Sequence, residues 1–132
     1  LRTLQERTVR RLGGAREISV DVRVMAALNE DIEMLLKSGK LRRDLYYRLN
    51  VIHIDIPPLR QHREDIPEYI ACFLKKFNKK YDKAFEGLAA DAMKELKKRD
   101  YPGNVRELEN IVEGAVAMGG GGKLIRLKDL FL

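Results

Sequence analysis

The chain has 132 residues, 45% of them hydrophobic and 35% charged, and a formal net charge of +6. That length suits one folded core, or a core with a small satellite, and the composition excludes a disordered chain. No apolar run approaches the roughly 20 residues that cross a bilayer, and no secretory signal pattern is visible. The single cysteine, Cys72, has no partner for an internal disulfide, which fits a reducing cytoplasm. The positive excess is divided between the two halves of the sequence rather than gathered in a tail. Its one local cluster, Lys75, Lys76, Lys79, Lys80 and Lys83, has helical spacing and reads first as a solvated face rather than a nucleic-acid footprint.

In chain order, Leu1 and Leu4 share helical spacing with no start signal before them, so residues 1–7 read as the last turns of a helix begun upstream. Thr8 to Leu12 and Ile18 to Leu28 flank Gly13-Gly14, the pattern of a hairpin or short connection. Ile18, Val20, Val22 and Val24 alternate with Ser19, Asp21 and Arg23 and run into Met25-Ala26-Ala27-Leu28, which predicts a strand delivering Asn29 at its tip. A short helix over Asp31 to Ser38 ends at Gly39. The arginine-dense stretch Leu41 to Leu49 follows, and then a second predicted strand, Val51 to Ile56, stopped by Pro57-Pro58. Beyond the prolines the period becomes helical. Asp65 with Pro67 opens a helix striped by Ile66, Tyr69, Ile70, Phe73 and Phe77. A second helix carries Leu88, Ala92, Met93 and Leu96. A third has Asn104 as N-cap, Glu107 completing a capping box, and a stripe of Val105, Leu108, Ile111, Val112, Ala115 and Val116. The run Gly119 to Gly122 ends it before an apolar tail. Residues 1–57 thus read as part of an α/β layer, and 58–132 as a small helical bundle.

Arginine dominates the candidate chemistry. Arg42 and Arg48 lie six apart around Asp44, Tyr46 and Tyr47, so they read either as an oriented pair or as an exposed helix with an Asp44–Arg48 pair at (i, i+4). Arg106 stands in the first turn of a capped helix. There a guanidinium and the positive helix end both suit a phosphate, and an unpaired cation is mildly unfavourable. Asn29 reads equally as a water-orienting amide or a loop cap. His53, His62 and Cys72 show no metal-ligand spacing, and the sequence holds neither a phosphate-binding loop nor a strand ending in paired acids.

Several stretches, in this order and spacing, resemble the AAA+ ATPase domain of NtrC-like, enhancer-binding bacterial transcription activators that act on sigma-54 RNA polymerase. They are Leu4-Gln5-Glu6-Arg7, Val9-Arg10-Arg11-Leu12-Gly13-Gly14, Val20-Asp21-Val22-Arg23-Val24, Arg43-Asp44-Leu45-Tyr46-Tyr47-Arg48-Leu49-Asn50-Val51-Ile52, Pro57-Pro58-Leu59-Arg60, Arg63-Glu64-Asp65-Ile66-Pro67 and Tyr101-Pro102-Gly103-Asn104-Val105-Arg106-Glu107-Leu108-Glu109-Asn110. The resemblance covers residues 1 to about 118 and implies an α/β portion of a P-loop-type AAA+ domain followed by an all-α lid. It implies that Asn29 is the sensor I residue, that Arg42 and Arg48 are arginine fingers acting in trans, and that Arg106 is the sensor II arginine contacting ATP. Further implications are a ring of identical subunits, usually a hexamer, and contact with sigma-54 RNA polymerase through upstream loops. Magnesium would be held by upstream residues, DNA bound through a separate domain, and no membrane engaged. This chain alone would not hydrolyse ATP.

Departures from the family pattern are Leu28 where a small hydroxyl residue is usual, Gln61-His62 in place of a charged pair, Tyr101 for tryptophan and Gly114 where arginine is common. A helix-interior glycine costs roughly 1 kcal/mol against alanine, which would soften the lid. Competing readings are an AAA+ domain with another target, such as a helicase loader or unfoldase, and a stand-alone basic helical module binding DNA or protein.

Overall fold

The computed structural model describes residues 2–120 and 122–132. Leu1, in the expected opening stripe, and Gly121, in the glycine run, lie outside the described residues. The chain divides into two compact units, Leu1–Asp55 and Ile56–Leu132.

In the first unit, helix α1 (Arg2–Glu6) leads into strand β1 (Thr8–Arg10), which pairs antiparallel with β2 (Glu17–Ser19) in the register Val9↔Ile18. The hairpin turns at Gly13, whose φ of 75° suits a residue without a side chain. The Gly14 N–H donates to Arg11 O at 3.0 Å. Beyond the hairpin the strand expectations are corrected. The strand predicted to run to Leu28 stops at Ser19, and Val51–Ile56 forms no strand. Alternation decides which way side chains point, but a strand exists only where a neighbour completes its hydrogen-bond ladder. Past Val20, whose N–H still donates to Arg7 O at 2.7 Å, the first segment has no sheet partner among the described residues, nor has the second, and Val22, Val24, Met25, Ile52, Ile54 and Ile56 are exposed. Helix α2 (Ile32–Lys37) is capped by Asp31, whose carboxylate accepts from Met34 N at 3.0 Å, and it buries Leu35. Gly39 follows with φ 73°. Helix α3 spans Arg43–Leu49.

The second unit is built on the pairing of α4 (Ile66–Tyr81) with α6 (Asn104–Met118). Ile66, Ile70, Leu74 and Phe77 recur every three or four positions and bury one face of α4. Leu108, Ile111, Val112, Ala115 and Val116 do the same for α6. Tyr69, Phe73 and Val105, expected in these stripes, are half-buried at their margins. Pro67 falls in the first turn of α4, where its missing N–H is harmless. Asp65, expected to cap that helix, makes no capping bond; its Oδ2 lies 3.2 Å from His62 Nδ1 instead.

Three of the five clustered lysines are engaged by the protein itself, so the expected solvated face is partly tied down. Lys76 reaches Glu109 at 2.7 Å, Lys80 reaches Glu113 at 2.6 Å, and Lys83 donates to Gly119 O at 3.0 Å. Hydrogen bonds from Lys80 and from the Tyr81 hydroxyl hold the Glu113 carboxyl below the usual range. Leu88, expected in a helix, lies instead in β3 (Gly87–Leu88), ahead of α5 (Ala90–Lys98). The tail returns as β4 (Leu124–Ile125), parallel to β3, and buries Ile125 and Leu130. At Gly119 a side chain would collide with Phe85, so the end of α6 can approach that ring only as glycine.

No helix among the described residues is long and apolar enough to cross a membrane.

The packing sets measurable expectations at two positions. A Cβ at Gly114 would meet Phe131 Cδ2 at 3.5 Å, an ordinary contact. Gly114→Ala should therefore raise stability by about 1 kcal/mol through helix propensity alone, read as a higher denaturation midpoint at unchanged slope. The second position is Tyr101, whose phenol burial pushes from its ordinary 10.0 up to about 12. Folding favours its neutral form, so its contribution is complete below pH 10 and is lost as pH rises through about 12, at up to about 1.4 kcal/mol per pH unit. Comparing the denaturant midpoints of wild type and Tyr101→Phe across that window should show the variant losing less.

Candidate functional site

Asn29 and the two α3 arginines belong to the first unit. Asn29 sits in a bend after the irregular 20–28 segment, exposed, and its side chain makes no hydrogen bond among the described residues. It is therefore not at a strand tip, because the strand that would deliver it is not formed.

Arg42 and Arg48 mark the two ends of α3, about 9 Å apart along the axis at 1.5 Å per residue. Arg42 occupies the N-cap with extended backbone (φ −70°, ψ 136°), so its side chain can fold back over the first turn. There its Nε donates to Asp44 Oδ1 at 3.1 Å and its Nη2 to Asp44 Oδ2 at 2.7 Å, a forked guanidinium–carboxylate pair. Asp44 also accepts from Leu45 N at 2.8 Å, as suits a carboxylate near a positive helix end. The Arg42 bond holds the Asp44 carboxyl below the usual range, and in return Asp44 raises Arg42 above its own.

The Asp44–Arg48 pair open to the sequence is thus replaced by Arg42–Asp44. Arg48, in the last turn, is exposed and has no ion pair among the described residues. The tyrosines between do not orient the arginines, for Tyr46 Oη accepts from Asn50 Nδ2 at 2.8 Å and its ring lies 5.3 Å from that of Tyr47.

Arg106 belongs to the second unit. It projects from the first turn of α6, exposed, with neither an ion pair nor a side-chain hydrogen bond among the described residues. The residues around it are occupied. Glu107 Oε2 accepts from Gly103 N at 2.9 Å, Glu107 Oε1 lies 3.4 Å from Arg99 Nη2, and Arg63 reaches Asp100 at 2.6 Å. The expected capping box does not form: Gly103 rather than Asn104 is the N-cap, so Glu107 reaches back to Gly103 N instead of Asn104 N, and Asn104 Oδ1 accepts from Leu59 N at 2.6 Å rather than from its own helix. An unpaired guanidinium beside the free N–H groups of a helix start is chemically suited to an anionic oxygen.

Among the described residues no group of three His, Cys, Asp or Glu side chains lies together to hold a metal. His53 faces Asp55 at 3.1 Å on the surface, His62 Nε2 lies 2.9 Å from Pro57 O, and Cys72 is exposed. Two shallow hollows, one beside Asp65, Tyr69 and Cys72 and one on the β1–β2 hairpin, include none of Asn29, Arg42, Arg48 or Arg106.

Three features are absent from the sequence expectations: the forked Arg42–Asp44 pair, the Asn104 bond to Leu59, and the left-handed backbone of Tyr101 and Asn104. For Asn104 a signal exists, since asparagine is among the few side-chain-bearing residues that visit that region routinely.

Comparison with known proteins gives two family matches. Residues 1–55 fit the sigma-54 interaction domain, and residues 60–132 fit an AAA+ ATPase lid domain. The phenol regulator MopR of Acinetobacter guillouiae is 49% identical over 131 residues, covering 99% of this chain and 23% of MopR. The Nif-specific regulatory protein of Herbaspirillum seropedicae is 50% identical over 121 residues, covering 92% of this chain and 22% of that protein. The transcriptional regulatory protein ZraR of Escherichia coli (strain K12) is 50% identical over 118 residues, covering 89% and 27%. The chain thus spans about a quarter of the length of these relatives. Among solved structures, NtrX from Brucella abortus superposes with a TM-score of 0.86 at 31% identity, and its complex with ATP with 0.82 at 30%. Each covers 98% of this chain and 30% of NtrX.

The forked pair is open to direct measurement. In a carbon-detected NMR titration the Asp44 carboxyl should titrate below the ordinary aspartate range, and Arg42→Ala should return it toward that range. An Asp44 midpoint that Arg42→Ala leaves unmoved would mean the pair does not persist in solution.

Proposed function

This chain belongs to the AAA+ ATPases of the sigma-54 activator family, and we propose that it supplies the sensor and arginine-finger groups of an ATP-hydrolysing domain that remodels sigma-54 RNA polymerase to activate transcription. In this reading ATP lies between neighbouring identical subunits of a ring, most simply a hexamer. Arg106 contacts the phosphates within its own subunit, while Arg42 and Arg48 are presented to the site of the next. Negative charge spreads over the phosphoryl oxygens as the terminal phosphate leaves, and fixed guanidinium groups aimed at those oxygens stabilise that state more than the ground state. The amide of Asn29 can both donate and accept, as is needed to hold an attacking water or sense the terminal phosphate. Magnesium, held by residues upstream in this reading, would supply further charge neutralisation in phosphoryl transfer of this class. Contact with the sigma factor and with DNA falls to other parts of the whole protein.

The observation that carries this reading is that Arg48 and Arg106 are both exposed and unpaired among the described residues, at positions that the family resemblance assigns to nucleotide-facing arginines. The basic-module alternative gains little support, because Lys76, Lys80 and Lys83 bond within the protein.

In the full-length protein, Arg48→Ala should lower ATP turnover by roughly 10³-fold or more, the scale of a trans arginine, while ATP affinity changes by less than about threefold, the behaviour of a group that acts mainly in the transition state. Steady-state hydrolysis and nucleotide titration on assembled rings test both halves. Wild-type turnover in rings of normal size would remove Arg48 from the reaction.

A further inference from the structure

Arg106 touches no other side chain through a hydrogen bond or ion pair among the described residues, so its direction is set by the backbone that carries it. That backbone is unusual. Within four positions the chain places two non-glycine residues in the left-handed region, Tyr101 (φ 49°) and Asn104 (φ 56°). Side-chain-bearing residues stay there only when the surroundings fix them, and such places cluster at functional sites.

The fixing contacts can be named. Tyr101 is 1% exposed and its hydroxyl donates to Leu96 O at 2.6 Å, anchoring the turn to the end of α5. Asn104 N donates to Tyr101 O at 2.8 Å, and the Gly103 and Glu107 backbones and the Glu107 side chain close the first turn of α6. One bond reaches outside this local set, that from Leu59 N to Asn104 Oδ1 at 2.6 Å, spanning 45 positions of sequence. Leu59 is fully buried and begins the 3₁₀ turn Leu59–Gln61, so its N–H is a donor that the turn itself cannot satisfy. Asparagine meets both demands at this position: it tolerates the left-handed backbone, and it offers a carbonyl oxygen that the buried donor needs.

We propose that Asn104 is a positioning residue for Arg106, mooring the turn that aims its guanidinium to Leu59, where the chain joins the helical unit. The proposal rests on the reading of Arg106 as a nucleotide contact. Glycine at 104 would keep the backbone freedom and remove the mooring. Aspartate would keep both the backbone tolerance and the acceptor oxygen.

The test is ATP hydrolysis by the full-length protein carrying Asn104→Gly, Asn104→Asp, Arg106→Ala and the Asn104→Gly/Arg106→Ala double change. Asn104→Gly should raise KM for ATP by roughly fivefold or more, as expected when a charge-assisted phosphate contact loses its alignment. The same change should add less than about twofold when Arg106 is already alanine, because two residues acting as one unit are not additive. Asn104→Asp should stay within about twofold of wild type, as its oxygen still accepts from Leu59 N. Equal losses from Asn104→Gly in both backgrounds would show a general structural role and overturn the proposal. So would an unchanged KM in Asn104→Gly, or a KM for Asn104→Asp roughly fivefold or more above wild type; this last arm is read against wild type and decides the matter even if the glycine variant does not fold. The underlying reading has its own control: if Arg106→Ala by itself leaves KM and kcat at wild-type values, Arg106 is not a nucleotide contact, whatever the Asn104 variants do.

Discussion

The apolar seam between α4 and α6 is the constraint from which the helical unit follows. Ile70, Leu74 and Phe77 on one helix and Leu108, Val112, Ala115 and Val116 on the other are withdrawn from water, each large side chain contributing about 1.5–3 kcal/mol relative to exposure. Once these faces are joined, Lys76 and Lys80 stand opposite Glu109 and Glu113 at the rim, so the ion pairs follow the packing rather than direct it. The seam also decides where α6 begins. With Leu108 fully buried one turn into the helix, the chain must turn sharply before it, and Tyr101 and Asn104 adopt left-handed backbone to make that turn.

The same arrangement explains why Arg106 can stand in the open. Its neighbours Arg99 and Glu107 face one another, Arg63 is engaged by Asp100, and Asn104 is committed to Leu59. A cation without a counter-charge in the first turn of a helix is locally unfavourable, which is tolerable in a unit whose stability comes from elsewhere. The two arginines of α3 differ in the same way: Arg42 is held in a fork by Asp44, and Arg48 is left without a partner among the described residues. The guanidinium groups proposed to face phosphate thus range from tethered to unpaired.

The helical unit is largely legible in the sequence because its stripes are local: the residues expected on the buried faces of α4 and α6 are buried, with Tyr69, Phe73 and Val105 at the margins. What is not legible depends on distant partners. Leu59 and Asn104 are 45 positions apart, and no periodicity links them. β3 and β4 are two residues each, too short for an alternation to register. In the first unit the alternation at 18–28 and 51–56 is that of strands, yet strand structure requires a neighbour that the pattern cannot specify. For the site, residue types and spacing single out Arg42, Arg48 and Arg106, whereas the choice of Asp44's partner turns on an N-cap backbone angle that no composition reveals.

Those strand-like segments carry a further consequence. Exposed runs of valine and isoleucine are adhesive, and copies of one chain could zip together through them. Each run is interrupted by charge or a polar ring: Asp21 and Arg23 in the first, His53 and Asp55 in the second. Stacking two copies in register would set Asp21 against Asp21 and Arg23 against Arg23, and like charges directly opposite disfavour pairing. The alternation that marks these residues for a sheet therefore also contains gatekeepers against self-association, leaving them selective for a neighbour whose charges differ from their own.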